Sequence, residues 1–328
     1  VLIPLNTLHV KTTRRIFIHV GTCKTGTTSI QTFLTNNSCF LQRFGFRYST
    51  ALTLGPTHHL LAGNYLRLHS DINLLERNIE VVTKELEAHS EHLIISSEYF
   101  HGNTEEEYAM LRQLLEPYGD IHAIIYFRRQ DTYVEAWFNQ VVKSGYYETN
   151  IYGLYRDVKN ERALDYKHVA SRLEALCPVR NIHVRSYDCS RNSSDGVLYD
   201  FLTCIGIPRL ADTRMPQMRL NPSFSATSIA LIHLIHKRLG KEHADVFMSK
   251  PPEWFPPSGI SCFFSPVERA LIVHCHAQNN REMVQKFCPE KEDFFDPMSP
   301  ADLETSGPAI SEDELEGWFE KAVEHLIC

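Results

Sequence analysis

The stretch Arg15-Ile16-Phe17-Ile18-His19-Val20-Gly21-Thr22-Cys23-Lys24-Thr25-Gly26-Thr27-Thr28 constrains this chain more than any other. Its first six residues form a short, mostly apolar and β-branched run of the kind that makes a central strand buried on both faces. Gly21 ends that run, and a helix is predicted from Thr27 to Leu34. Strand, glycine-containing loop and helix in immediate succession is the setting a phosphate-binding motif requires. Gly21 and Gly26 stand where backbone must approach an anion closely, and the hydroxyls and amides of Thr25, Thr27 and Thr28 stand at a helix N-terminus, where negative charge is favoured. The order differs from the Walker loop, in which the lysine follows the second glycine and a Ser or Thr comes next to hold magnesium. Here Lys24 precedes Gly26 by two residues. The residues alone leave open an ordinary strand-to-helix turn or a nucleotide kinase loop.

The same alternation continues downstream. Strands are predicted at His92 to Ser96, His122 to Phe127 and Asn181 to Ser186, with helices at 104–117, Thr132 to Lys143 and Gly196 to Cys204. Strands separated by helices imply right-handed βαβ units and a parallel sheet. The expected fold is therefore α/β, a three-layer P-loop-type core over 15–208 with a central parallel sheet flanked by helices. From 209 to 328 the pattern turns mostly helical, with helices predicted at 225–239, 266–284 and 312–326, joined by turn-rich segments around Pro251 to Pro257 and Asp296 to Pro300.

With 328 residues, the chain is long enough to bury a full core. A net charge of −7 argues against non-specific attraction to nucleic acid or anionic membrane, so an anionic ligand must be met by local positive groups. The nine cysteines show no C-x-x-C pair or zinc-like spacing and are expected to be mostly reduced. The N-terminal apolar run is too short for a signal peptide or membrane span, which makes a cytoplasmic location the expectation. The chain starts at Val, which leaves an upstream leader or anchor open.

The order Lys24-Thr25-Gly26-Thr27-Thr28 resembles the 5′-phosphosulfate-binding loop of the sulfotransferases that use 3′-phosphoadenosine 5′-phosphosulfate. That resemblance implies that Gly21, Thr22, Lys24, Thr25, Gly26, Thr27 and Thr28 form the donor-binding loop. Lys24 would neutralise the oxygen bridging phosphate and sulfonate, and no metal is expected. It also implies an arginine for the 3′-phosphate at the end of a later strand, a place taken by Arg128. The serine expected eight residues on is Ala136, with Asn139, Gln140 or Arg129 available as substitutes. The run from Arg128 to Gln140, Ile95-Ser96-Ser97-Glu98-Tyr99-Phe100, Arg219-Leu220-Asn221-Pro222-Ser223 and Phe264-Ser265-Pro266-Val267-Glu268-Arg269 are similar to a bacterial branch associated with sulfation of polysaccharides and glycolipids.

Sulfonyl transfer needs a base for the acceptor hydroxyl or amine. Glu98, directly after a strand, is the first candidate, followed by His59 and His58 in the loop-rich segment before it. Glu98 has an alternative as a cap for a helix near Asn103 or as an arginine's partner, and either histidine as a surface or core residue. His274 and His276 are two apart on a predicted helix, which faces them in different directions and argues against a metal site. Trp137, Trp254 and Phe255 are candidates for stacking on adenine or a sugar, or for the core. The same loop also suits an ATP-dependent phosphotransferase, or a nucleotide-binding regulator without turnover. Acceptor and oligomeric state are not legible.

Overall fold

Ile16, Phe17 and Ile18 are almost wholly buried, as an apolar run without alternation must be when helices cover both faces of its sheet. They form β1 (Arg15–His19), the middle strand of a five-stranded, all-parallel sheet in a computed structural model that describes residues 14–145, 150–192, 196–208, 224–255, 263–298 and 311–327. The other strands are β2 (Phe46–Tyr48), β3 (His92–Ser96), β4 (Asp120–Phe127) and β5 (Ile182–Ser186), in the order β2-β3-β1-β4-β5. β1 runs parallel to β3 with His19 beside Ser96, and to β4 with His19 beside Ile124. The loops after β1, β3 and β4 therefore leave the carboxyl edge of the sheet, where α/β folds bind their ligands.

The helices before β4 are α1 (Thr27–Asn36), α2 (Ser38–Arg43), α3 (Gly63–His69), α4 (Leu74–Ala88) and α5 (Glu105–Leu115). After it come α6 (Gln130–Lys143), α7 (Ile151–Asn160), α8 (Tyr166–Ser171), α9 (Tyr187–Asn192) and α10 (Gly196–Ile205). The C-terminal part contributes α11 (Ala226–Leu239), α12 (Lys241–Ser249), α13 (Pro266–Phe287) and α14 (Glu312–Ile327). The α/β class and the helical C-terminal part agree with the sequence reading. Differences lie at the ends, in the short elements and at one long helix. The helix predicted over 104–117 stops at Leu115 and tightens into a 3₁₀ turn, Glu116–Tyr118, because Pro117 cannot continue an α-helix. β4 starts two residues before the predicted strand, since the Asp120 amide still donates to the Arg14 carbonyl at 2.8 Å. β2 has three residues, too few for a periodic signal. The 15-residue α4 went unassigned, although Leu75, Ile79, Val82 and Leu86 give it a buried helical stripe.

The described residues fall into two compact units. One comprises 14–21, 30–125 and 172–183; the other comprises 22–29, 126–171 and the described residues from 184 onward. The first holds most of the sheet. The second has its own apolar core, in which Tyr133, Val134 and Phe138 of α6 pack with Ile229 and Ile232 of α11 and Phe247 of α12. Phe255 belongs to that core and Trp137 packs against it, while Trp254 lies beside Phe247 and Trp318. The segment Phe264 to Arg269 is a helix start. Ser265 and Glu268 form a capping box and Pro266 takes the first turn, where its missing amide hydrogen costs nothing. Residues 209–223, with Arg219-Leu220-Asn221-Pro222-Ser223, lie outside the described residues, as do Pro256, Pro257, Cys262, Ser299, Pro300 and Cys328. Among the described residues no helix is long and apolar enough to cross a membrane.

A buried charge network ties α6 to α13 in the second unit. Arg129 pairs with Asp131 through two bonds of 2.8 and 3.0 Å, while Arg269 reaches Glu135 at 2.6 Å and Asp131 at 3.5 Å. Glu135 also accepts from the amides of Phe263 and Phe264. Burial pushes the Glu135 carboxyl up, against the pull of Arg269. Removing one partner of such a network strands the other charges in a dry interior, which costs more than the network contributes. Arg269→Met is expected to lower unfolding stability by about 3 kcal/mol. Urea unfolding followed by tryptophan fluorescence reads this unit alone, since Trp137, Trp254 and Trp318 all belong to it. A loss below about 1 kcal/mol, the scale of an exposed pair, would show the network to be solvated.

Candidate functional site

The loop after β1 is held in a shape that few sequences adopt. Gly21 and Gly26 have φ of 62° and 80°, and between them Lys24 has φ of 65°, a left-handed conformation that costs a residue with a side chain roughly 1–2 kcal/mol. Strain of that kind persists only where surroundings over-determine it. Here the Thr22 hydroxyl donates to the Tyr126 carbonyl at 2.9 Å, and the Thr25 hydroxyl donates to the Thr22 carbonyl at 2.6 Å. Gly26 is required twice over, by its positive φ and because a Cβ there would lie 2.9 Å from Val197 Cγ1 and 3.2 Å from the Tyr187 ring. The hydroxyls of Thr22 and Thr25 thus build the loop, and what Thr25 offers an anion is its amide. Thr28 is exposed at the start of α1, whose first amides have no acceptor within the helix.

Lys24 donates to Gln140 Oε1 of α6 at 2.6 Å. Lys143, one turn further along α6, has its ammonium 4.6 Å from the centre of the Phe224 ring, and burial together with the Lys24 charge pushes its pKa down. Arg128 follows β4 directly. Its guanidinium donates from Nη1 to the Lys24 carbonyl at 3.5 Å and from Nε to the Thr132 hydroxyl at 3.1 Å, and it lies 5.6 Å from the centre of the Tyr187 ring. Asp188 Oδ1 stands 3.9 Å from Arg128 Nε, and burial raises the Asp188 carboxyl despite both neighbouring arginines. Lys24 and Arg128 therefore belong to one unit, joined through the Lys24 carbonyl. The substitutes for the serine replaced by Ala136 are otherwise engaged: Arg129 with Asp131, Asn139 with the Phe224 carbonyl at 2.8 Å, and Gln140 with Lys24. The hydroxyl beside Arg128 is that of Thr132, which the sequence reading did not single out.

In the first unit, Glu98 opens a 3₁₀ turn, Glu98–Gly102, immediately after β3. It caps no helix: Ser97 caps that turn and Thr104 caps α5. Gln31 of α1 donates from Nε2 to Glu98 Oε2 and to the Ser96 hydroxyl, each at 3.1 Å. His59 Nδ1 lies 2.8 Å from the Ser97 hydroxyl, and its Nε2 lies 3.9 Å from Glu98 Oε1. Burial pushes the His59 pKa down, opposed by Glu98 and reinforced by His69. His58 has a different position. It is fully buried, its Nε2 donates to the Ser49 carbonyl at 2.9 Å, and its Nδ1 accepts from the Ser96 amide at 3.2 Å. Both nitrogens bond to backbone, so His58 fastens its loop to β3, and Glu98 and His59 remain as the partly exposed pair. His19, also fully buried, has Nδ1 2.8 Å from the Ser96 hydroxyl. Gln31 and His19 were missed because an isolated polar residue inside an apolar pattern carries no periodic signal.

No family model matches the chain. It is 25% identical over 206 residues to an uncharacterized protein of Archaeoglobus fulgidus, a match covering 62% of this chain and 55% of that relative. The match thus spans about half the length of the curated relative.

Burial lowers the His19 pKa from its ordinary 6.5 to about 3. Above pH 6.5 the imidazole is neutral folded or unfolded and contributes nothing to pH dependence. Below it the unfolded chain gains a proton that the folded chain refuses, so stability falls as pH drops from 6.5 towards 3, by up to about 1.4 kcal/mol per pH unit. His122, lowered to about 4 chiefly by burial, acts in the same direction. His19→Asn, which keeps a polar atom near Nδ1, is expected to flatten the fall between pH 7 and pH 5 in urea titrations followed by circular dichroism. An unchanged slope in the variant would remove His19 from the account.

Proposed function

We propose that this protein transfers a sulfonate group from 3′-phosphoadenosine 5′-phosphosulfate to a hydroxyl or amine acceptor, with a carbohydrate or glycolipid as the acceptor class. The observation that carries the reading is the left-handed Lys24 inside a glycine-bounded loop, with Arg128 hydrogen-bonded to its carbonyl. Loop amides at the start of α1 would take the 5′-phosphate, helped by the exposed Thr28 hydroxyl, and Arg128 with Thr132 would take the 3′-phosphate. The planar Arg128 guanidinium, 5.6 Å from the centre of the Tyr187 ring, would turn from the Lys24 carbonyl to form two parallel bonds to a phosphate.

In the proposed step Glu98 takes the acceptor proton while the acceptor oxygen or nitrogen bonds to sulfur. The bond from sulfur to the bridging phosphate oxygen breaks, and its electron pair leaves with the nucleotide bisphosphate, whose charge Lys24 neutralises. Gln31 orients the Glu98 carboxylate, and His59 supports it from the Ser97 side. A cytoplasmic location is part of the proposal; among the described residues the cysteines Cys23, Cys39, Cys177, Cys189, Cys204, Cys275 and Cys288 are not joined in disulfides. Ala136 favours a second reading, a regulator that binds the nucleotide without turnover.

Labelled donor mixed with the full chain and a panel of glycans, with a chelator present, tests the assignment. Turnover without added metal is expected, with a loss of roughly a hundredfold or more in Lys24→Ala, the scale of removing a group that stabilises developing negative charge. Failure to bind donor, or turnover indifferent to Lys24, would contradict it. Tight binding of adenosine 3′,5′-bisphosphate with no transfer to any acceptor would favour the regulator.

A further inference from the structure

Four rings gather beside Glu98 in the first unit. Tyr65 and His69 lie four residues apart on α3 and so share a face, with ring centres 4.7 Å apart. His59 stacks on Tyr65 at 5.3 Å and 28°. Tyr99, the residue after Glu98, stands edge-on to His59 at 4.8 Å, to Tyr65 at 5.0 Å and to His69 at 5.7 Å. Its hydroxyl lies 3.4 Å from His69 Nε2.

These rings are not the core. Tyr65 and Tyr99 are half-buried and His69 is exposed, whereas the neighbouring Phe100 and Tyr108 are wholly buried. We propose that Tyr65, His69, Tyr99 and His59, with the Glu98 carboxylate at one end, form a saccharide-binding subsite that seats a sugar ring of the acceptor. The inference deepens the reading above and rests on it for the reaction, though the binding itself stands apart from the donor.

The chemistry of the cluster selects the ligand. A sugar ring presents C–H bonds on its faces and hydroxyls around its rim, and the cluster offers ring faces for the first and polar tips for the second. Glu98 Oε2 takes one bond from Gln31, and a carboxylate has room for several more, so it remains able to accept from a hydroxyl. His59 and Tyr65 stack on each other and Tyr99 stands at 74° to 88° to its three neighbours, so no two of these rings form an open sandwich around a flat purine. An alkyl chain laid here would take the Glu98 carboxylate, with its single hydrogen bond from Gln31, and the exposed His69 ring out of water, which is unfavourable.

Calorimetry and saturation-transfer NMR on the full chain, with cellotetraose, chitotetraose, maltotetraose and a β-galactan tetrasaccharide, test the subsite. At least one saccharide is expected to bind, with affinity falling at least fivefold in Tyr99→Ala and in His69→Ala, and by less in Tyr99→Phe, which keeps the ring. His69 is exposed, so its replacement leaves the fold intact and keeps the test valid if Tyr99→Ala is unstable. Affinity for adenosine 3′,5′-bisphosphate is expected to change less than twofold in each variant. Binding of none of the four saccharides, binding indifferent to both alanine variants, or displacement of the sugar by tetramethylammonium or adenosine would overturn the inference. If the bisphosphate fails to bind while the saccharide still does, the donor assignment falls and the subsite stands.

Discussion

A lysine forced into the left-handed region between two glycines is the constraint on which the rest of the second unit's site depends. Its φ of 65° is unfavourable by itself and is held by bonds from outside the turn. Thr22 anchors the loop to the Tyr126 carbonyl at the end of β4, Thr25 closes the turn on Thr22, and Gly26 lets the chain pass against Tyr187 and Val197. The turn brings the Lys24 carbonyl within reach of Arg128, the residue that leaves β4. The Arg128 guanidinium is thereby held against the backbone of the loop, while the Lys24 ammonium is held by Gln140 of α6. Pre-organisation of that kind spares a phosphate-binding site the cost of ordering long side chains at the moment of binding.

The first unit depends on a different economy, that of polar groups buried at the end of β3. The side chains of His19 and Gln31 meet at the Ser96 hydroxyl, and His58 closes on the Ser96 amide and the Ser49 carbonyl. Buried polar atoms left without partners destabilise a fold, so a network this dense admits few arrangements and specifies one. Its outermost members are Glu98 and His59, which carry the network to the surface. Burial lowers the pKa of His19, His58 and His59 alike, which disfavours a charged imidazole in this network.

Strand β1, its loop and α1 were legible because apolar run, glycine and hydroxyl cluster all agree on one local structure. β3 matched its predicted bounds, and its parallel pairing with β1 puts Glu98 after the strand adjacent to the loop's own. Lys24, Gly26 and Thr28 are legible from the pattern of the loop and Arg128 from the family resemblance, and the structure sets the Arg128 guanidinium against the Lys24 carbonyl. What stayed hidden was the pairing of side chains, both within a turn and across the fold. Nothing local tells that Thr25 spends its hydroxyl on Thr22, that Arg129 serves Asp131 while Arg128 does not, or that His58 is locked while His59 is reachable. Gln31 and Tyr65 escaped because their partners, Glu98 and Tyr99, are distant in sequence, and Thr132 because nothing in its type marks it as the partner of Arg128 one turn before. The unassigned α4 is a different failure, since its stripe of Leu75, Ile79, Val82 and Leu86 was present in the sequence.

A crystal structure with adenosine 3′,5′-bisphosphate bound tests the central claim most directly. The account predicts the 5′-phosphate against the amides of residues 25–28 with Lys24 beside it, and the 3′-phosphate on the Arg128 guanidinium, swung from the Lys24 carbonyl. A nucleotide bound elsewhere, or bound in the loop with its 3′-phosphate far from Arg128, would contradict it.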